Sequence, residues 1–172
     1  MIWIAVILGM TVVMILTMLI AFGVVFHNME RQMEQAYPAC EASFLKQEQQ
    51  VEALLQAADS YACSDELTAV VTQIASLLEQ FHAVTRDKQS VTAFHGSLYL
   101  LMRKGIRLSK QDTSGNSIFL SEHAKQYETL AAQTESYMYL VRRYDVLLQM
   151  FPSNLVARLL KKKCLGVWKN EK

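Results

Sequence analysis

The sequence predicts an all-α protein: a single N-terminal transmembrane helix followed by an antiparallel up-down-up-down four-helix bundle with long first and fourth helices. Three observations carry this. Ile2 to Phe26 holds no charged residue, no segment alternates apolar and polar residues as a strand does, and the remainder repeats apolar residues every three or four positions. The domain plan is an anchor over 1–26, a bundle over 27–152 with helices at about 27–62, 64–84, 90–108 and 118–151, and a short amphipathic segment with a basic tail over 153–172. A length of 172 residues suits one domain plus an anchor.

The anchor is justified by length. At a rise of ~1.5 Å per residue, Ile2 to Phe26 reaches roughly 37 Å, enough to cross the hydrocarbon with some tilt. Thr11 and Thr17 are its polar members, and their hydroxyls can bond back to helix carbonyls. A secretory signal is the competing reading. It requires a basic start and a small-residue cleavage site, yet no Lys or Arg precedes Arg31, and Ala21-Phe22-Gly23 cleaves poorly. Arg31 and Lys46 follow the span, so the positive-inside tendency puts the N-terminus outside and the bundle in the cytoplasm, at a cell (inner) membrane crossed once.

The first bundle helix places Tyr37, Phe44, Val51 and Ala58 on one heptad position and Cys40, Leu54 and Tyr61 on the other, a coiled-coil-like seam with Gln47 as its polar break. Pro38 is expected to kink or restart it. The second begins near Ser64, with Asp65 and Glu66 in the first turn and Leu67, Val70, Val71, Ile74, Leu77, Leu78 and Phe81 on one face. Thr85 to Ser90 reads as a polar break, and the third helix then carries Val91, Phe94, Leu98, Leu101 and Met102 on a face. Ser109 to Ser117 reads as a loop. In the fourth helix Tyr127, Thr134, Val141 and Leu148 alternate with Leu130, Tyr137, Tyr144 and Phe151, until Pro152 stops it. A short piece follows with Leu155, Val156, Leu159 and Leu160 on one side.

An up-down bundle returns its fourth helix to the membrane, where the tail then lies. Residues 153–172 hold six cations against Glu171, although the whole chain has a formal net charge of +1. Arg158, Lys161, Lys162, Lys163, Trp168 and Lys169 therefore read either as a second membrane contact or as a solvated tail. The cations lack the aromatic interleaving of a single-strand binder, so no nucleic-acid partner is expected. Cys40, Cys63 and Cys164 have no paired spacing, which speaks against a disulfide framework.

One stretch is more specific. Tyr137, Val141, Tyr144, Asp145, Leu148, Phe151, Pro152, Ser153 and Asn154, followed by Leu155-Val156-Ala157, form a pattern that resembles the C-terminal signature of the LemA family. That signature reads roughly Tyr-Asn-x-x-Val-x-x-Tyr-Asn-x-x-Ile-x-x-Phe-Pro-Ser-Asn-Leu-Ile-Ala. The chain departs from it with Met138 and Asp145 at its asparagines, with Thr134 at a usual arginine, and with Glu48 to Leu54 where the family has a proline-containing motif. The resemblance implies a divergent, membrane-bound helical protein of the bacterial cell envelope without established enzymatic activity.

Catalytic chemistry has no visible carrier. The histidines His27, His82, His95 and His123 are dispersed, glycines stand singly, and no Cys-x-x-Cys, His-Glu-x-x-His or Gly-x-Ser-x-Gly occurs. No catalytic, metal or cofactor residue is assigned, and no cofactor is expected. Tyr127, Tyr137 and Tyr144 sit on the seam and read as core, whereas Tyr139 lies off it and is the better candidate for a partner surface. The expected function is an interaction or scaffold module that meets the lipid bilayer and a protein partner or itself. The alternative is a sensory bundle that binds a small ligand and signals through a partner.

Overall fold

A computed structural model describes residues 2–61, 64–111 and 117–165. The described residues are helical and contain no strand: α1 (Ile2–Ala57), a 3-10 turn (Ala58–Ser60), α2 (Asp65–His82), α3 (Lys88–Gln111), a second 3-10 turn (Ile118–Leu120), α4 (Glu122–Gln149) and α5 (Ser153–Leu159).

The expected anchor and first bundle helix are one uninterrupted helix that passes through Pro38 without restarting. Pro38 and Glu34, the residue whose carbonyl loses its helical partner to the proline, are both exposed. α1 is also long and apolar enough to cross a membrane: its apolar stretch near the N-terminus has mean hydropathy 2.5 and none of it is buried.

Local capping sets the other boundaries. The Ser64 hydroxyl accepts from the Leu67 amide and starts α2. α3 begins at Lys88 because Asp87 and Ser90 cap reciprocally: the Asp87 carboxylate accepts from the Ser90 amide at 2.6 Å, and the Ser90 hydroxyl accepts from the Asp87 amide at 3.1 Å. These bonds to Ser90 hold the exposed Asp87 carboxyl below its ordinary value. The segment read as a plain polar break therefore contains a cap. The fourth expected helix is divided, since Ser121 caps α4 and the preceding Ile118 and Phe119 leave the helical path to bury themselves. Gly105 on α3 makes this possible, because the Phe119 ring occupies the space that a Cβ there would need.

Two clusters form the core. In one, Val51 and Leu54 of α1, the apolar faces of α2 and α3, the Ile118–Leu120 turn and the start of α4 pack together. In the other, α1 from Phe26 to Phe44 meets α4 from Tyr137 to Leu148, with Val156 and Ala157 of α5 beneath. Four helices meet in the first cluster. The second is built mainly from α1, α4 and α5.

The pairing of α1 with α4 runs in opposite residue order. His123 bonds Gln50, Thr134 bonds Gln47 and Tyr144 bonds Glu30, at 3.3, 3.1 and 2.7 Å.

Candidate functional site

The signature residues of α4 are mostly packing groups. Tyr137, Val141, Tyr144 and Leu148 are buried against α1. The Tyr137 ring meets Phe44 edge-on at 5.9 Å, and Tyr144 meets Phe26 in the same way at 5.9 Å. Each phenol has a partner: Tyr137 lies 2.9 Å from the Thr92 hydroxyl, and Tyr144 donates to Glu30 at 2.7 Å. Burial pushes the Tyr137 phenol up to about 12.

Beyond α4 the signature makes a corner. Phe151 is exposed, Pro152 is half-buried and Ser153 is buried. The Ser153 hydroxyl donates to the carbonyls of Leu147 and Met150, closing the turn that α4 left open. The half-buried Asn154 donates its amide to Met150. Asp145 accepts from the Leu165 amide at 2.8 Å, so this signature position ties the tail back to α4.

The tail is fastened from several sides. Lys162 reaches Glu30 at 2.7 Å, and Gln89 of α3 donates to the Cys164 carbonyl at 3.2 Å. Glu30 thus receives both the Lys162 ammonium and the Tyr144 hydroxyl. Burial resists its charge, but those bonds outweigh it and the carboxyl sits below its ordinary value. A hollow of about 340 Å³ remains between this strap and the helices, bordered by Glu30, Lys88, Tyr144 and Lys162. Arg158, Lys161 and Lys163 are exposed, while Trp168 and Lys169 lie outside the described residues.

A buried polar layer crosses the middle of the molecule. Gln47 donates to Thr134 at 3.1 Å and faces His95 Nδ1 at 3.1 Å, with the His95 ring stacked on Phe44 at 4.2 Å. His95 Nε2 lies 3.4 Å from Glu48 but without the alignment of a hydrogen bond. Arg86 pairs with the same carboxylate and covers the Phe81 ring at 5.2 Å. Burial pushes the His95 imidazole down, against the pull of Glu48.

In the linear sequence His95 is one of four dispersed histidines. The only hint was that Gln47 and Thr134 both interrupt apolar seams, and two polar seam residues satisfy each other when the seams meet.

Beside this layer α3 and α4 diverge and leave a cleft of about 590 Å³. Its floor holds Phe44, Gln47 and His95, and small Ala131 and Ala132 form part of one wall. Tyr139, 62% exposed, stands at its edge. Tyr127 also lines it, and this hydroxyl is buried without a hydrogen-bond partner.

Among the described residues no three His, Cys, Asp or Glu side chains converge as a metal-binding group. Compared with known proteins, the chain matches no family model, no curated protein and no solved structure.

Proposed function

We propose that this protein is a membrane-anchored helical module of LemA type, an interaction or scaffold protein of the bacterial cell envelope without a catalytic site. Its plan is one pass through the membrane and an antiparallel, up-down-up-down four-helix bundle of α1 to α4, with the N-terminus outside and the bundle in the cytoplasm. The opposite residue order of the α1–α4 contacts supports the antiparallel plan.

The observation that carries the anchor is the change of environment along α1. Large apolar side chains from Trp3 to Leu16 are exposed, whereas Phe26, Met29 and Met33 on the same helix are buried by α4 and α5. An apolar surface of that extent in water is the signature of a missing lipid or protein partner.

Three measurements test the reading. The chain should stay with membranes through an alkaline wash and leave them in detergent. Reporters fused after Lys172 should be active only in their cytoplasmic form. Release by the alkaline wash contradicts the anchor, and activity of the external reporter reverses the orientation. Photo-crosslinking from Tyr139 should capture one defined protein or a second copy, and crosslinks only to solvent or scattered proteins count against the module.

The cleft between α3 and α4 favours a second reading, a sensory bundle for a small ligand. Its volume lies in the range of ligand pockets, and the Tyr127 hydroxyl supplies an unused donor beside an apolar wall. A screen of small aromatic acceptor compounds should raise the unfolding temperature of the wild type but not of Ala131→Leu, which fills the cleft. Equal shifts in both proteins exclude the cleft as the site.

A further inference from the structure

We propose that α5 is a foot lying in the plane of the bilayer surface, seated at the boundary between headgroups and hydrocarbon, with Phe151, Leu155 and Leu159 toward the lipid tails. The proposal rests on the anchor reading of α1 and goes beyond it: the chain holds its membrane with a second, separate element.

Orientation comes first. One side of α5 is fixed, because Val156 and Ala157 are buried against α1 and α4. The other side then faces outward, and Phe151, Leu155 and Leu159 are 77%, 47% and 68% exposed. The apolar pattern groups Val156 with Leu155 and Leu159; packing buries Val156 and leaves the two leucines exposed.

Level comes next. Leu160 lies against Gly23, since a Cβ on that glycine would be 3.8 Å from the leucine side chain. At ~1.5 Å per residue, Gly23 is about 4–5 Å before Phe26, the last residue of the uncharged apolar run. Leu160, and α5 with it, therefore stands at the hydrocarbon edge. Glu30 is about 10 Å further along α1, beyond a headgroup layer of roughly 5–7 Å, and it holds Lys162 there.

Continuity and charge select lipid as the occupant. Ile20, Val24 and Val25 of α1 are exposed at the same level, so the patch on α5 continues the surface of the span. Exposed Arg158, Lys161 and Lys163 surround it and suit anionic headgroups, with their stems free to lie along the apolar layer. Lys162, by contrast, is turned to the protein.

The test uses the full chain in nanodiscs of zwitterionic and anionic phospholipid, with Cys40, Cys63 and Cys164 changed to Ala. Nitroxide labels go on one at a time through Leu155→Cys, Leu159→Cys, Ile15→Cys in the span and Glu79→Cys on α2. Labels at Leu155 and Leu159 should collide readily with oxygen and several-fold less than Glu79 with a water-soluble nickel chelate. If Ile15 behaves as lipid-buried while Leu155 and Leu159 match Glu79, the foot is refuted and the anchor stands. If Ile15 is itself open to the nickel chelate, both readings fall. Spin–spin broadening at Leu159 that grows with protein density assigns the patch to a second copy and overturns the proposal. A benzophenone amino acid at Leu159 in the otherwise native chain gives an independent readout: lipid adducts support the foot, and protein adducts alone refute it.

Discussion

Lys162 and Glu30 are 132 positions apart in the chain, yet their charged atoms meet at 2.7 Å. The contact closes the tail onto the segment of α1 that follows its apolar stretch, and Tyr144 completes it by donating to the same carboxylate. Both partners keep under a third of their side-chain surface. The pair is therefore partly screened, and a double-mutant cycle of Glu30→Gln and Lys162→Gln should give a coupling of about 0.5–1 kcal/mol. Its larger effect is local. Trypsin should cut after Lys161 and Lys163 several times faster in Lys162→Gln than in the wild type. An unchanged cutting rate indicates that other contacts hold the strap.

Acid should act on this protein in two separate windows. The folded-state imidazole of His95 is pushed below its ordinary 6.5 by burial. Below that pH the unfolded chain binds more protons than the folded one, so stability falls as pH drops through and below about 6.5. Thermal unfolding in detergent from pH 7.5 to 5.5 should show this slope, and His95→Gln should flatten it. An equal slope in both proteins places the sensitivity elsewhere.

Glu30 marks the lower window. Its carboxyl is held below the ordinary 4.5, so its contribution is present above that pH and is lost as pH falls through the lowered value. Release of the strap, read as trypsin sensitivity after a brief acid pulse or as loss of the Glu30–Lys162 coupling, should begin only below about pH 4.5. Release already at pH 6 points to the His95 layer as its cause.

Gly105 should resist the usual helix improvement. Replacing a helix-interior Gly with Ala ordinarily stabilises by roughly 0.5–1 kcal/mol. Here the new Cβ meets the Phe119 ring, and Gly105→Ala should cost about 1–3 kcal/mol in unfolding free energy. Adding Phe119→Leu should recover part of the loss. If Gly105→Ala is stabilising, α3 and the Ile118–Leu120 turn are not packed as described.

Two tyrosines on one helix should respond in opposite ways to loss of the hydroxyl. Tyr137 has the Thr92 hydroxyl at 2.9 Å, whereas the Tyr127 hydroxyl is buried without a partner. Tyr137→Phe should therefore destabilise by about 1 kcal/mol, and Tyr127→Phe should be neutral or stabilising by up to about 1 kcal/mol. A clear loss in Tyr127→Phe shows that its hydroxyl is satisfied within the α3–α4 cleft, by water or by a ligand.

The linear order of residues determined what depends on near neighbours. The period of apolar positions made the chain helical, the uncharged run at its start made α1 apolar enough to span a membrane, and Ser64 and Pro152 marked places where local chemistry starts or stops a helix. It also singled out the α4 signature without saying what those side chains touch. Tertiary structure decided the rest. Pro38 stays within one helix at an exposed position, and Phe119 leaves the α4 path because Gly105 offers it room. Gln47, His95 and Thr134 form one layer only when α1, α3 and α4 come together, and Val156 turns inward while Leu155 turns out because α1 and α4 cover one side of α5. The physical reason is common to these cases. Backbone preference and apolar period act over a few residues, whereas the partner of a buried polar group is set by segments tens to more than a hundred positions away.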